Sequence, residues 1–260
     1  MIIFTNTIDM QFKDAIQKII FLNTTSVDTV ATKLIDEWQQ SNNDFILHFM
    51  YYASLELFRK EVNYQNSLFL ANYILVDGIG MQSYFKLLMN KKMANLNGTD
   101  LSPQLINALL QKNIPIVFYG TTKEQINRCN DNLNKQYNKQ VLHYFQDGFS
   151  DLNWEKIPNQ AALFIGMGTP LQEAFVKENI NIIKEKKLMV ITVGGFFDFL
   201  SGFYVRAPKW IRQIKLEWLW RTLHHPLRHY KKRLRDTTIV FRPFLDKLNG
   251  IAKLIIIKEY

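Results

Sequence analysis

The sequence predicts an α/β fold, a Rossmann-like and mostly parallel sheet flanked by helices. Short apolar runs with strand character alternate along the chain with segments of helical pattern. Several of these runs end at glycine, which permits the tight turn that leads from a strand into the next helix. Strands that alternate with helices pair in parallel through right-handed crossovers, so these observations together indicate one such sheet.

The predicted elements follow one another in a regular order. Thr25 and Ser26 can cap a first helix that runs to about Gln40. Further helices are predicted near residues 53–63, 81–90 and 102–112. The predicted strands are Phe45–Met50, Tyr73–Val76, 115–119, 140–145, 161–165 and 188–193.

Length and composition restrict the class of protein. The chain has 260 residues, 47% of them hydrophobic, which predicts one principal domain with an appendage. Cys129 is the single cysteine and cannot form an internal disulfide, and residues 1–10 lack the layout of a secretory signal, so a reducing cytoplasm is favoured. No apolar run reaches the roughly 18 residues needed to cross a bilayer, so any membrane contact is expected to be peripheral.

The net charge of +9 is concentrated near the end of the chain. Residues 206–235, called the basic segment below, hold ten Lys or Arg against one acid, Glu217. Tryptophan and tyrosine side chains are interleaved with these charges and suit the headgroup level of a bilayer. The segment is therefore typical of a membrane-surface element, although a solvated helix face or a nucleic-acid surface also fits. We divide the chain into a catalytic domain (1–203) and a basic, aromatic membrane-docking appendage (204–260).

Four predicted strand ends carry glycine, at residues 77–80, 120–122, 166–169 and 194–195. In parallel sheets the ligand lies beyond the carboxyl ends of the strands, where the next helix offers unpaired N–H groups to a phosphate. An ordinary turn explains any one of these sites. The four together favour a ligand that carries phosphate.

Several common site motifs are absent from the sequence. Ser83 and Leu171 stand where the dinucleotide fingerprint has its third glycine, and neither a P-loop nor a G-x-S-x-G nor an H-E-x-x-H motif occurs. His225 and His229 flank Pro226 and resemble part of the basic surface more than a metal site. No Asp-x-Asp pair is present to carry a metal-bound nucleotide sugar, which disfavours a divalent-metal mechanism.

Asp77 is the carboxylate best placed for acid–base chemistry. It follows the apolar strand Tyr73–Val76 and directly precedes Gly78. A rigid strand end can hold a carboxylate within hydrogen-bond reach of a hydroxyl. A turn aspartate in an Asp-Gly pair explains the same pattern equally well.

A compound pattern in the second half of the chain resembles a known family. Residues 168–173 read GTPLQE, 193–202 read VGGFFDFLSG and 206–208 read RAP, followed by Glu217, Trp218 and Arg221. This pattern resembles the WecG/TagA/CpsF family, glycosyltransferase family 26, as do the blocks at 77–78 and 98–101. The resemblance implies an inverting, metal-independent transferase. It would move N-acetylmannosamine or a related sugar from a UDP-sugar to undecaprenyl-diphosphate-linked N-acetylglucosamine in bacterial surface-polysaccharide synthesis.

The resemblance also implies roles for individual residues. Asp77 would be the general base, Gln172 matches the active-site glutamine of the family, and Arg206 could stabilise the diphosphate charge. The substrate-binding residues would be Gly78, Gly120, Thr121, Gly166, Gly168, Pro170, Glu173, Gly194, Gly195, Phe197, Asp198, Arg212, Arg221 and Arg228. We expect no cofactor and no metal.

The resemblance further predicts partners and location. The partners would be a UDP-sugar donor, a polyprenyl-diphosphate-linked sugar acceptor and an anionic membrane surface, with a homo-oligomer also possible and no nucleic acid expected. The protein would be cytoplasmic and peripherally bound to the inner face of the bacterial plasma membrane.

Two positions depart from the family pattern. Members usually carry Thr-x-Asn after the strand Phe45–Met50, where this chain reads HFMYY from His48 to Tyr52, and an arginine where it has Asn95. A different donor, with Lys91 or Lys92 supplying the lost charge, would explain this. The alternatives are a UDP-sugar-binding or regulatory module with weakened activity and a nucleic-acid-binding protein.

Overall fold

One eight-stranded parallel sheet forms the centre of the protein in a computed structural model that describes residues 7–208, 210–211, 216–224 and 241–260. Every strand pairing among these residues is parallel, which confirms the predicted α/β class. The strands are β1 (Ile20–Asn23), β2 (Phe45–Met50), β3 (Tyr73–Val76), β4 (Ile116–Gly120), β5 (Tyr144–Gln146), β6 (Ala162–Gly166), β7 (Met189–Thr192) and β8 (Ile256–Glu259). Their order across the sheet is β5-β4-β6-β7-β2-β3-β1-β8.

Helices cover both faces of the sheet. They are α1 (Thr7–Ile16), α2 (Val27–Ser41), α3 (Tyr52–Lys60), α4 (Val62–Leu68), α5 (Gly78–Met89), α6 (Gly98–Gln111), α7 (Lys123–Tyr137), α8 (Leu171–Glu178), α9 (Ile180–Glu185), α10 (Phe196–Leu200), α11 (Glu217–His224) and α12 (Arg242–Leu248). One apolar cluster includes side chains of α2, α6, α7 and α10, and two others include those of α1, α3, α4, α5, α8 and α9. Strands buried on both faces are continuous apolar runs, and β2, β3, β6 and β7 contain no exposed residue.

The predicted and observed elements differ in three places. The strand predicted at 140–145 is confined to β5, because residues 140–143 do not join the ladder. The helix predicted at 53–63 is two helices, since Glu61 is extended (φ −112°, ψ 103°) between α3 and α4. Helix α1 and strands β1 and β8 were not predicted, and the two strands span only four residues each.

The end of the chain returns to the main sheet. Strand β8 pairs with β1 from Ile20↔Ile256 to Asn23↔Glu259. Side chains reinforce this edge, because Lys258 Nζ lies 2.6 Å from the Tyr73 hydroxyl and the Tyr260 hydroxyl donates to Glu37. The division at residue 204 stays a prediction. The last residues of the predicted appendage nevertheless form an edge strand of the domain they follow.

A buried ion pair fastens α12 to the domain. Arg59 Nη2 lies 2.6 Å from Asp246 Oδ2, and the side chains are 2% and 1% exposed. The Tyr84 hydroxyl donates to the same oxygen at 2.7 Å, and the Arg59 guanidinium stacks 3.7 Å above the Phe12 ring. Burial, aided by the negative charge of Asp246, raises the pKa of Tyr84 well above its ordinary value, so its hydroxyl remains a donor. These contacts join α12 to α3 and α5.

We expect Asp246→Ala to lower the free energy of unfolding by about 3–5 kcal/mol, because the buried Arg59 guanidinium loses its nearest carboxylate and, of its ion pairs with Asp246 and Glu56, keeps only the longer 3.7 Å contact with Glu56. The double variant Arg59→Met with Asp246→Leu should recover most of that loss, since both charges are then gone. Denaturant titration measures both. Asp36→Asn is the control, because it breaks a more exposed pair with Lys112 (2.9 Å) and should cost less than about 1 kcal/mol. Equal losses for Asp246→Ala and Asp36→Asn would contradict a stabilising role of the buried ion pair between Arg59 and Asp246.

Candidate active site

The candidate site lies where the two halves of the sheet meet. Strands β4 to β7 form one half and β1, β2, β3 and β8 form the other, with β7 pairing with β2 at the junction. All carboxyl ends share one edge because all pairings are parallel. Ligands of open parallel sheets bind at such a junction, beyond the carboxyl ends of the strands. The ends of β6, β7, β2 and β3 are therefore consecutive along this edge.

Asp77 occupies the end of β3 and is the residue that caps α5. Its N–H donates to the carbonyl oxygen of Met50, at the end of β2, over 2.9 Å. The Asp77 side chain is half-buried and accepts no cap hydrogen bond from α5. Gly78 follows with φ +83°, a conformation that glycine adopts without strain. A carboxylate at a fixed strand end suits proton transfer.

Asn95, one of the two departures from the family pattern, contacts this same turn. Its Oδ1 accepts the N–H of Gly78 at 2.7 Å. An arginine has no acceptor atom and could not make this bond. From the sequence, Asn95 was predicted only to lack a charge. The bond between Asn95 and Gly78 forms only because the chain after α5 folds back across the end of β3.

Gln172 connects the turns that follow β6 and β7. Its Oε1 accepts the N–H of Gly194 at 3.1 Å, and its backbone N–H donates to the carbonyl of Gly168 at 3.1 Å. Its Nε2 donates to Glu173 Oε1 at 3.0 Å. The side chain is 2% exposed. Gln172 therefore holds two glycine turns at a fixed separation.

Glu173 supports Gln172. Its carboxylate is fully buried and also accepts a hydrogen bond from the Thr169 hydroxyl at 3.0 Å. Burial raises the pKa of this carboxyl, against the hydrogen bonds from Gln172 and Thr169, which lower it. Pro170 precedes α8 and follows Thr169 through a cis peptide bond. A substrate-binding role for Glu173 and Pro170 stays a prediction.

The glycines on the β4 side of the edge are required by close packing. Gly120 has φ +133°, and a Cβ there would lie 2.4 Å from the carbonyl oxygen of Gly166. A Cβ on Gly166 would lie 2.4 Å from the ring of Phe197, which is itself buried. By contrast, a Cβ on Gly168 or Gly194 would meet no atom within 4 Å. The edge is therefore closed near Gly120 and open beside Gly168 and Gly194.

Gln125 was missed by the sequence analysis and joins two predicted site residues. The Thr121 hydroxyl donates to Gln125 Oε1, and Gln125 Nε2 donates to Asp198 Oδ1 at 3.2 Å. A Cβ on Gly195 would lie 3.6 Å from the other oxygen of Asp198. Gln125 belongs to the first turn of α7, directly after the glycine turn of β4. That position is the signal from which it could have been found.

Arg206 lies beside the N-terminus of α6. Gly98 begins this helix, and a Cβ there would lie 3.2 Å from the carbonyl oxygen of Val193, just beyond β7. Arg206 Nη2 lies 2.5 Å from Asp100 Oδ1, and its Nε lies 3.7 Å from Glu217 Oε1. Arg206 thus ties the start of the basic segment to the edge of the site. A diphosphate contact by Arg206 stays a prediction.

Arg212 and Arg228 lie outside the described residues, and Arg221 is described only by the backbone of α11.

Across the described ranges, no three His, Cys, Asp or Glu side chains converge in a way that could hold a metal ion. Of the helices that the structure describes, none has both the length and the apolar character to cross a bilayer.

His48, in the other departure, links the two halves of the sheet. It is fully buried on β2, and its Nδ1 lies 2.9 Å from the hydroxyl of Thr192 on β7. Burial lowers the pKa of His48 from its ordinary value of 6.5 to about 3. The imidazole is therefore neutral at physiological pH and serves as a hydrogen-bonded core residue at the junction.

A carboxylate and open glycine turns along the carboxyl edge of a parallel sheet are typical of α/β enzymes that handle nucleotides. The sequence profile of the Glycosyl transferase WecG/TagA/CpsF family matches residues 18–252. The chain belongs to this family of glycosyltransferases.

Two relatives carry the name N-acetylglucosaminyldiphosphoundecaprenol N-acetyl-beta-D-mannosaminyltransferase. The Bacillus subtilis (strain 168) protein is 29% identical over 174 residues, which cover 65% of this chain and 67% of that protein. The protein of Staphylococcus aureus (strain NCTC 8325 / PS 47) is 27% identical over 214 residues, covering 78% of this chain and 81% of that one. These similarities extend well beyond the glycine turns.

We expect His48 to make folding stability depend on pH. Because its folded pKa lies below its unfolded value, its contribution is present above about pH 6.5 and is lost as the pH falls toward 3. His48→Asn, which keeps a polar atom near Thr192, should flatten the fall in unfolding free energy between these values. The surface variant His143→Asn is the control. The same pH slope in His48→Asn and the wild type, measured by denaturant titration, would contradict this assignment.

Proposed function

We propose that the protein transfers N-acetylmannosamine or a related sugar from a UDP-sugar to a polyprenyl-diphosphate-linked N-acetylglucosamine. Both relatives described above are named for this sugar and this lipid-linked acceptor. The position of Asp77 is the observation that carries the proposal, because it lies at the end of β3 and is joined through β2 to β7 and the glycine turns. The reaction is a single displacement that inverts the anomeric carbon and needs no metal.

Asp77 is the general base of this displacement. The acceptor hydroxyl attacks the anomeric carbon from the face opposite UDP, and Asp77 takes the hydroxyl proton as the new carbon–oxygen bond forms. The bond between the anomeric carbon and the diphosphate oxygen breaks, and its electron pair leaves with UDP. A base that is already in place lowers the entropic cost of reaching this geometry.

The open turns at Gly168 and Gly194 are the proposed binding site of the donor diphosphate. Their backbones leave space where a side chain would otherwise lie, and backbone N–H groups at helix starts suit phosphate oxygens. Gln172 fixes the separation of the two turns through bonds to both. Arg206 lies beside the neighbouring N-terminus of α6, from which it could add positive charge as the diphosphate leaves.

Asp77→Asn should lower turnover by about 10²- to 10⁴-fold, the usual contribution of a general base, while UDP-sugar binding persists. The assay offers a panel of radiolabelled UDP-sugars and a lipid-diphosphate N-acetylglucosamine acceptor to the purified full chain. Asp131→Asn, an exposed aspartate on α7, is the matched control and should retain wild-type rates. Equal rates for Asp77→Asn and the wild type would rule out the general-base role. UDP-sugar binding by a wild type that turns over none of the panel would favour a binding module.

The basic segment and the chain after it are the proposed contact with an anionic membrane surface. Large apolar side chains within its described part are exposed, including Trp210, Leu219 and Leu223. Phe241, Phe244 and Leu248 continue this exposed apolar character into α12. Apolar side chains beside many cations are typical of proteins that lie on an anionic bilayer. We place the protein at the cytoplasmic face of the bacterial plasma membrane; a homo-oligomer stays a prediction.

The structure determines how membrane contact must be tested. A chain truncated before Arg206 would also lose β8 and Asp246, which complete the sheet and pair with buried Arg59. Loss of lipid binding in such a truncation would therefore not distinguish a lost membrane contact from a damaged fold. Charge substitutions in the full chain avoid this problem.

Replacing four basic residues of the basic segment by glutamine should weaken binding to phosphatidylglycerol-containing vesicles at least about tenfold, because each cation near an anionic surface contributes about 1 kcal/mol. The four are Lys231, Lys232, Arg233 and Arg235. Vesicle sedimentation measures the change. A control variant loses the same charge from exposed positions on α7, just after it and on α9, namely Arg128, Lys135, Lys139 and Lys184. Equal weakening by both sets, or no weakening by the first, would contradict docking through this segment.

A further inference from the structure

Hydrogen bonds hold the backbone around Asp77 at three consecutive residues. The carbonyl of Val76 accepts the N–H of Leu96 at 2.9 Å, and the N–H of Asp77 donates to Met50 at 2.9 Å. The N–H of Gly78 donates to the side-chain Oδ1 of Asn95 at 2.7 Å. The first two bonds join backbone to backbone and survive most substitutions. The third depends on the identity of one side chain.

The segment at residues 92–96, which passes the end of β3, is itself fixed in place. The N–H of Ala94 donates to Asn23 Oδ1 at 2.7 Å, and Asn23 Nδ2 donates back to the carbonyl of Lys92 at 3.3 Å. Gln82 Nε2, from α5, donates to the carbonyl of Met93 at 2.7 Å. Met93 and Leu96 are buried in the core. The segment that carries Asn95 is thus attached to β1, to the end of β3 and to α5.

Gly78 is the flexible point next to the base. Its φ of +83° is accessible to glycine together with many other conformations, so the peptide after Asp77 could rotate if its N–H were released. Such a rotation would change the direction in which the Asp77 side chain leaves the backbone. The Asn95 bond prevents it by holding that N–H against an anchored segment.

We propose that Asn95 is a positioning residue for the transfer reaction, holding the Asp77–Gly78 turn so that the carboxylate meets the acceptor hydroxyl. This inference rests on the proposed function, in which Asp77 is the base. Asn95 therefore orients the base through its hydrogen-bond acceptor.

Substitutions that keep or remove the acceptor separate positioning from general stability. Asn95→Leu has a similar shape and no acceptor, and we expect its kcat to fall about 10- to 100-fold because a base misplaced by about 1 Å loses rate on that scale. Its KM for the donor should change less than about threefold, since the interaction lost affects the transition state more than donor binding. Asn95→Asp keeps an oxygen at the same place and should lose less kcat than Asn95→Leu, with its remaining loss coming from the negative charge added beside the base.

Asn72→Leu is the matched control. Asn72 Oδ1 accepts the N–H of Ile46 at 2.8 Å, which is the same kind of bond at the opposite, amino edge of the sheet. The control should change stability without changing kcat. Wild-type kcat in Asn95→Leu would overturn the proposal, as would equal losses in Asn95→Leu and Asn72→Leu.

Amide hydrogen exchange at Gly78 provides a readout that does not require turnover. The Gly78 N–H should be protected in the wild type and in Asn95→Asp and should lose protection in Asn95→Leu. A wild-type protein with an unprotected Gly78 N–H would overturn the proposal even if Asn95→Leu failed to fold. A wild type that turns over no donor would refute the proposed function alone, and the exchange pattern would still decide whether Asn95 holds this turn.

Discussion

The parallel pairing of β2 with β7 is the contact on which the rest of the molecule depends. It joins two halves that are built from separate parts of the chain, and its register runs from Phe45↔Met189 to His48↔Thr192. This register places the end of β7, with Gly194 and Gln172, beside the end of β2, which in turn receives the N–H of Asp77. A neutral, buried His48 bonded to Thr192 fits this junction, because a charged imidazole would be costly there.

Near that junction, several polar side chains hold the backbone turns in place through hydrogen bonds. Gln172, Gln125 and Asn95 each bond to a turn at the carboxyl edge or connect two turns. Amide side chains suit this work because each offers both a donor and an acceptor without a charge to desolvate. The site is therefore a set of glycine turns held in register by amides, with Asp77 as a carboxylate at its margin.

The sequence was sufficient for features encoded locally and insufficient for those that depend on folding. Apolar runs that end at glycine predicted six strands and the position of Asp77, because each run and its glycine lie within a few residues of one another in the sequence. Strand β8 and the bond between Asn95 and Gly78 depend on segments that meet only in the folded chain. The buried pair of Arg59 and Asp246 spans 187 residues, and neither residue carries a local sign of burial.

The pairing of β1 with β8 has a consequence for biosynthesis. Strand β1 leaves the ribosome long before residues 256–259, so the edge of the sheet beside β1 stays open until those residues have emerged. An unpaired edge strand is a template for pairing with other chains. The nascent protein therefore carries an unpaired edge until β8, which follows the basic segment, has been made, and contacts of such high sequence separation form slowly.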